Sequence, residues 1–181
     1  MRVIAGKAKG MKLKAPNGLT VRPTADRVKE ALFNIIGPCI INARFIDLYA
    51  GSGAIGIEAL SRGAHSCIFI EKQRKNFLVI KENLGKTGLE ESARLIMAEV
   101  DKALFILNRE KITADLVYLD PPYSCPDLAS VVNRVLELKI IAESGLLIAE
   151  HAYKNRQWAE AYGSVRQKKY GDTCLTIISN A

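Results

Sequence analysis

The stretch Phe45-Ile46-Asp47-Leu48-Tyr49-Ala50-Gly51-Ser52-Gly53-Ala54-Ile55-Gly56 runs from an apolar strand through a glycine turn into a helix. Gly51, Gly53 and Gly56 spell G-x-G-x-x-G, and Glu71 follows Gly51 by 20 residues at the end of the next apolar run. This layout binds an adenosine-containing cofactor. The glycines let the ligand approach the backbone, and a carboxylate ending the second strand accepts hydrogen bonds from ribose hydroxyls. Asp47, four residues before Gly51, turns the reading away from a dinucleotide, because a carboxylate beside the loop repels a pyrophosphate and suits a cation. S-adenosylmethionine carries a sulfonium and an ammonium. The plainer reading of the same stretch is a structural turn with Asp47 capping the helix.

Outward from the loop, apolar runs alternate with amphipathic segments, the pattern of a parallel α/β sheet. Strands are expected at 45–49, 67–71, 94–98, 116–120 and 145–150, with helices at 54–62, 76–87, 102–108 and 128–138. Upstream, Thr24 is a good N-cap for a helix carrying Val28, Leu32, Ile35 and Ile36 on one face, and Gly37-Pro38 stops it. Residues 2–5 and 11–14 read as a small hairpin turning at Gly10 and closed by 16–18. Downstream, 165–170 and 173–179 flank Gly171-Asp172, a tight hairpin dipeptide, so an antiparallel ending is expected.

The chain has 181 residues, 49% hydrophobic and 25% charged, which suits one folded α/β domain over 1–181 with a basic extension at 1–18. No apolar run reaches membrane-spanning length and the first residues lack a secretory apolar core, so a cytoplasmic protein is expected, with no membrane partner. Cys39, Cys67, Cys125 and Cys174 have no metal-ligand spacing, His65 and His151 form no pair, and no metal is expected. The net charge of +7 is local: residues 1–30 hold eight bases against Asp26 and Glu30, and the other 151 residues sum to +1. Arg2, Lys7, Lys9, Lys12, Lys14 and Arg22 are therefore candidate RNA-binding residues, since such a patch tracks a phosphate backbone. A solubilising basic arm has the same composition.

The second motif is Asp120-Pro121-Pro122-Tyr123, directly after the apolar strand. Ligands sit beyond the carboxyl ends of parallel strands, so both motifs open on one rim. An exocyclic base nitrogen is a poor nucleophile because its lone pair is delocalised into the ring. Acceptors aimed at its hydrogens favour the reactive pyramidal form, and Asp120 with the Pro121 carbonyl are such acceptors. Pro121 and Pro122 stiffen the loop and remove competing donors, while Tyr123 offers a face on which a flipped base stacks. A proline-rich turn after a buried strand is the structural alternative.

Asp47 to Gly56 and Asp120 to Tyr123 resemble the motifs of class I amino-methyltransferases. Met1 to Gly6, Arg22 to Ile35 and Lys169 to Thr173 further resemble the RsmD family, whose members are bacterial guanine-N2 methyltransferases of 16S ribosomal RNA. The resemblance covers nearly the whole chain. It implies a Rossmann-like sheet of seven strands, the last strand pair antiparallel, flanked by helices, with a small N-terminal β-hairpin helping to hold RNA. It implies S-adenosylmethionine as cofactor, held by Thr24, Arg27, Asp47, Tyr49, Ala50, Gly51, Ser52, Gly53, Gly56, Glu71, Lys72, Glu99, Val100 and Asp120. Arg27 would pair with the cofactor's carboxylate, and Glu99 stands where the family tends to carry Asp near the adenine. The implied partner is 16S ribosomal RNA, within the small subunit or an assembly intermediate.

Two other classes compete. An adenine-N6 DNA methyltransferase uses D-P-P-Y as well, although this chain is small and has no target-recognition domain. A non-catalytic RNA-binding assembly factor would keep the fold without the chemistry, against which stand the intact Asp47, Gly51, Gly53, Glu71 and Asp120.

Overall fold

The computed structural model describes residues 1–15, 23–122 and 127–180, with the backbone alone over 23–25. Its strands are β1 Arg44–Asp47, β2 Ser66–Ile70, β3 Ala93–Ile96, β4 Ala114–Leu119, β5 Ile141–Ala152, β6 Val165–Tyr170 and β7 Thr173–Ser179. The helices are α1 Pro23–Ile36, α2 Ala54–Ser61, α3 Arg74–Thr87, α4 Val100–Arg109 and α5 Leu128–Glu137. The strands form one seven-stranded sheet in the order β3-β2-β1-β4-β5-β7-β6. Pairing is parallel from β3 through β5, and β7 runs antiparallel to both β5 and β6. The expected Rossmann-like class I methyltransferase sheet, with its last strand pair antiparallel, is what the chain adopts.

Central strands buried on both faces need near-continuous apolar sequence. β4, Ala-Asp-Leu-Val-Tyr-Leu, meets this with every residue but Asp115 buried. One face packs against α1, α2 and α3 through residues such as Leu32, Ile57 and Ile80. The other face is covered by α4, α5 and the 3-10 segment Tyr153–Ala161. Gly56 sets the spacing of α2 on the sheet, because a Cβ there would lie 2.3 Å from the Phe69 ring and 2.6 Å from Cys67 Sγ. The final hairpin turns through two residues, with Tyr170 opposite Thr173 and Gly171 at φ 61°, the positive angle a type II′ turn requires at its first position.

One expectation at the N-terminus is corrected. The helix starts at Pro23 rather than being capped by Thr24, and proline suits a first turn whose N–H groups have no helical acceptor. The expected hairpin at 2–5 and 11–14 forms: Arg2 bridges Lys12, the Val3 N–H donates to the Met11 carbonyl at 3.0 Å, the Gly10 N–H to the Val3 carbonyl at 2.9 Å and the Leu13 N–H to the Met1 carbonyl at 3.1 Å. Other backbone groups of the segment are bound by side chains of the domain: Ile4 and Ala5 donate to Glu58 at 2.8 and 3.0 Å, Ala8 donates to Ser61 Oγ at 2.9 Å, and Lys14 donates to Asn83 Oδ1 at 2.8 Å. Val3, Ala8 and Leu13 are buried beneath this segment. Gly6 makes the close approach possible, since a Cβ there would fall 1.7 Å from the Ser61 carbonyl oxygen. The expected closure at 16–18 lies outside the described residues.

Both rims of the sheet are guarded. β3 has four residues and is crossed by the Arg94–Glu110 ion pair at 2.5 Å, and β6 exposes Arg166, Gln167, Lys168 and Lys169. No described helix is long and apolar enough to cross a membrane.

Candidate active site

Strand order reverses between β1 and β4, so the crevice beyond their carboxyl ends is where this sheet offers a ligand site. Asp47 ends β1 and Asp120 follows β4, and the register Asp47 to Tyr118 places the two acids on neighbouring strands. The glycine loop leaves β1 with Gly51 at φ 55° and Gly53 at φ 79°, both in the left-handed region that glycine tolerates, and Gly53 caps α2.

Two acids hold this loop from beneath. Glu71 Oε2 accepts the Gly51 N–H at 3.0 Å and Oε1 accepts the Gln73 N–H at 2.7 Å, tying the loop to the start of α3. Asp47 Oδ2 accepts the Gly56 N–H at 3.3 Å, inside the first turn of α2. Asp47 is only 1% exposed, so it braces the helix as the structural reading anticipated rather than standing open at the loop mouth. Its Oδ1 is buried with no hydrogen-bond partner among the described residues. Burial pushes the Asp47 carboxyl up to about 7; Glu71 adds to this, and the backbone N–H groups of Gly56 and Tyr49 oppose it. A loop backed by two acids suits the sulfonium and ammonium of S-adenosylmethionine better than a pyrophosphate.

The shift carries a stability prediction. A carboxyl held near 7 in the fold and near 4 when unfolded binds its proton more tightly in the native state. The Asp47 contribution to stability is therefore fully present below about pH 4 and is lost as pH rises through about 7. Between pH 5 and pH 8 the loss is about 2–3 kcal/mol. In Asp47→Asn this component disappears, and urea denaturation at the two pH values reads the difference. An unchanged pH slope in the variant would remove Asp47 as its source.

The remaining cofactor-site residues divide. Ala50 and Ser52 are buried in the loop, and Tyr49 is half-buried beside it. Lys72 is exposed after Glu71; Glu99 is exposed and N-caps α4 without a side-chain cap bond; half-buried Val100 begins that helix. Arg27 is exposed on α1. The Thr24 side chain, Arg22 and Tyr123 lie outside the described residues.

Beyond Asp120 opens a cavity of about 380 Å³, walled by Pro121, Pro122, Leu128, Glu150, His151, Asn155 and Trp158 among others. Its size is that of a small-molecule site. Asp120 is reached by solvent at its mouth, yet protein surrounds it closely enough that desolvation raises its carboxyl well above the usual range, with Glu150 and then Asp47 adding repulsion. Solvent access screens the effect and leaves its direction. Trp158 forms the apolar wall, packed edge-on against His151 at 5.5 Å and Tyr162 at 5.8 Å. Sequence reasoning missed Glu150 and Trp158, whose local sequence carries no motif.

The basic patch also divides. Arg2, Lys7, Lys9, Lys12 and Lys14 are exposed, whereas Lys29 is 4% exposed with Nζ on the Arg2 carbonyl at 2.7 Å and 3.5 Å from Glu58. Lys14 pairs with Glu82 at 2.6 Å, and among the described residues no ion pair engages Arg2, Lys7, Lys9 or Lys12.

Residues 1–179 match the family described as Conserved hypothetical protein 95. The protein belongs to the RsmD family. This RsmD-family chain is 38% identical over 180 residues to YlbH of Bacillus subtilis (strain 168), named as a candidate rRNA methyltransferase, covering 98% of this chain and 97% of that one. It is 34% identical over 157 residues to the Ribosomal RNA small subunit methyltransferase D of Escherichia coli (strain K12), covering 86% and 76%. The solved structure of yhhF from Escherichia coli, named as a candidate methyltransferase, matches it with a TM-score of 0.85 at 30% identity over 99% of this RsmD-family chain and 97% of that one.

Proposed function

We propose that this protein transfers a methyl group from S-adenosylmethionine to the exocyclic N2 of a guanine in 16S ribosomal RNA, guanine 966 in that RNA's numbering. At the coarser level the chain is an rRNA methyltransferase, and its cofactor is S-adenosylmethionine. The observation that carries the proposal is Asp120, placed where the cavity beyond β4 meets the rim that holds the glycine loop. The relative named for small-subunit rRNA supports the substrate class.

The glycine loop, Glu71 and Arg27, with Thr24 as the family resemblance implies, would hold the cofactor, which would supply an electrophilic methyl group. Tyr49, Lys72, Glu99 and Val100 complete its surroundings. Asp120 and the Pro121 carbonyl hold the amine by its hydrogens and direct its lone pair, so that catalysis is largely positioning. Trp158 and the two prolines shut water out around a base turned out of its stack. Arg2, Lys7, Lys9 and Lys12 contact phosphates. These four exposed N-terminal cations, in no ion pair among the described residues, give limited non-specific grip, which favours a partly assembled subunit over naked RNA as substrate.

Tritiated S-adenosylmethionine supplied with hypomethylated small subunits, naked 16S RNA or duplex DNA tests this. Label recovered as N2-methylguanosine, with subunits the better substrate, is expected. Label on DNA adenine overturns the reading, and label on none of the three returns the protein to the non-catalytic class.

A further inference from the structure

The cavity holds a second acid that the motif reading does not use. In the β4–β5 register Leu119 lies beside Ala149, so Asp120 and Glu150 each stand one residue farther along adjacent parallel strands. Both line the same cavity. Glu150 is fixed in place: the Tyr118 hydroxyl donates to its Oε2 at 2.5 Å, and Tyr118 is itself buried two residues before Asp120. Burial raises the Glu150 carboxyl, and this hydroxyl draws it back toward the anion. No described residue donates to Oε1, which leaves one acceptor atom for whatever enters the cavity.

With both carboxyls ionised, as the acceptor role of Asp120 already requires, two acceptors side by side call for two donors side by side. The base edges differ in this respect. Guanine presents its ring N1–H next to the N2 amine, whereas adenine presents a ring N1 lone pair next to the N6 amine. Asp120 alone suits either amine. A second acceptor beside it meets a donor in guanine and a lone pair in adenine, and an acceptor facing a lone pair in a desolvated cavity is strongly disfavoured. We propose that Glu150 reads the target base by accepting the N1–H of guanine while Asp120 holds its exocyclic amine, so that the carboxylate pair rejects adenine. The inference rests on the guanine reading above and names the residue that makes the choice. It also separates this site from an adenine-N6 enzyme bearing the same D-P-P-Y, by a residue on the neighbouring strand rather than in the motif.

The test uses small subunits reconstituted with 16S RNA carrying either guanine or 2-aminopurine at the mapped target. 2-Aminopurine keeps the N2 amine and has no N1–H. Wild-type protein is expected to prefer guanine by at least about tenfold in kcat/KM, the worth of one hydrogen bond to a charged acceptor. In Glu150→Gln that preference collapses toward one, because the amide can donate to the bare N1 of 2-aminopurine. Tyr118→Phe, which keeps the carboxylate and frees its orientation, is expected to lose part of the preference. Cofactor binding by calorimetry, unchanged in both variants, checks their fold. If Glu150→Gln slows both substrates by one factor, Glu150 does not read N1 and the inference falls while the guanine reading stands. If wild-type protein labels adenine instead, both fall together.

Discussion

Asp120→Ala lowers single-turnover methyl transfer by about 10²–10³-fold, equivalent to roughly 3–4 kcal/mol of transition-state stabilisation. In the proposed mechanism Asp120 both orients the amine and localises its lone pair; it lines the cavity and follows β4, which pairs with the strand leading into the glycine loop. The variant should also fold at least as firmly as wild type. Asp120 sits close to Glu150 and Asp47, in surroundings that disfavour its charge, so the native state carries an unfavourable ionisation that alanine removes. The raised carboxyl fixes the sign of the pH response. The ionised form is the acceptor, so transfer climbs as pH rises through the elevated value. Stability moves the opposite way, highest while the proton is kept and lower as it is lost. A variant within threefold of wild-type rate, or one that loses rate only because it unfolds, would take the role away from Asp120.

The second large effect is on folding. Glu58→Ala should cost about 3–5 kcal/mol in urea denaturation, since removing one partner of a buried ion pair strands the other. Glu58 is fully buried in α2, accepts the Ile4 and Ala5 N–H groups, and meets Arg62 Nε at 2.7 Å and Lys29 Nζ at 3.5 Å. Without it, Lys29 stays buried beside one backbone carbonyl, and two amides lose their acceptor. Residues 1–15 should then become the first site of proteolytic cleavage. Glu58→Gln, which keeps an acceptor, should fall between the two. A loss below about 1 kcal/mol for the alanine variant would mean that the N-terminal segment is held by its apolar residues alone.

The comparison of sequence with structure follows from where each kind of information lies. Alternation of apolar runs revealed all seven strands of the sheet, because buried parallel strands and a glycine-turned hairpin write their constraints locally. The glycine loop and Asp120 were legible for the same reason: a left-handed turn and a strand-end carboxylate are short-range patterns. Glu58 and Asn83 were not. Each stands on a helix where a polar residue reads as solvent-facing, and its meaning comes from a segment 50 or more residues away. Glu150 looked like an ordinary strand end until the β4–β5 register put it beside Asp120. The first part of β5 was hidden too, since Glu143 and Ser144 interrupt its apolar run and Ser144 takes φ 64°. The 3-10 segment Tyr153–Ala161 has no 3.6-residue periodicity to announce it.

An open sheet invites strand addition, because its outermost backbone groups are unpaired and match those of any extended chain. Here the invitation is withdrawn at both ends. A strand approaching β6 must strip water from Arg166, Lys168 and Lys169 before it gains a ladder, and β3 is too short to template one. Resistance to aggregation thus resides in the last hairpin, whose exposed cations would keep the protein apart from its neighbours in a crowded solution.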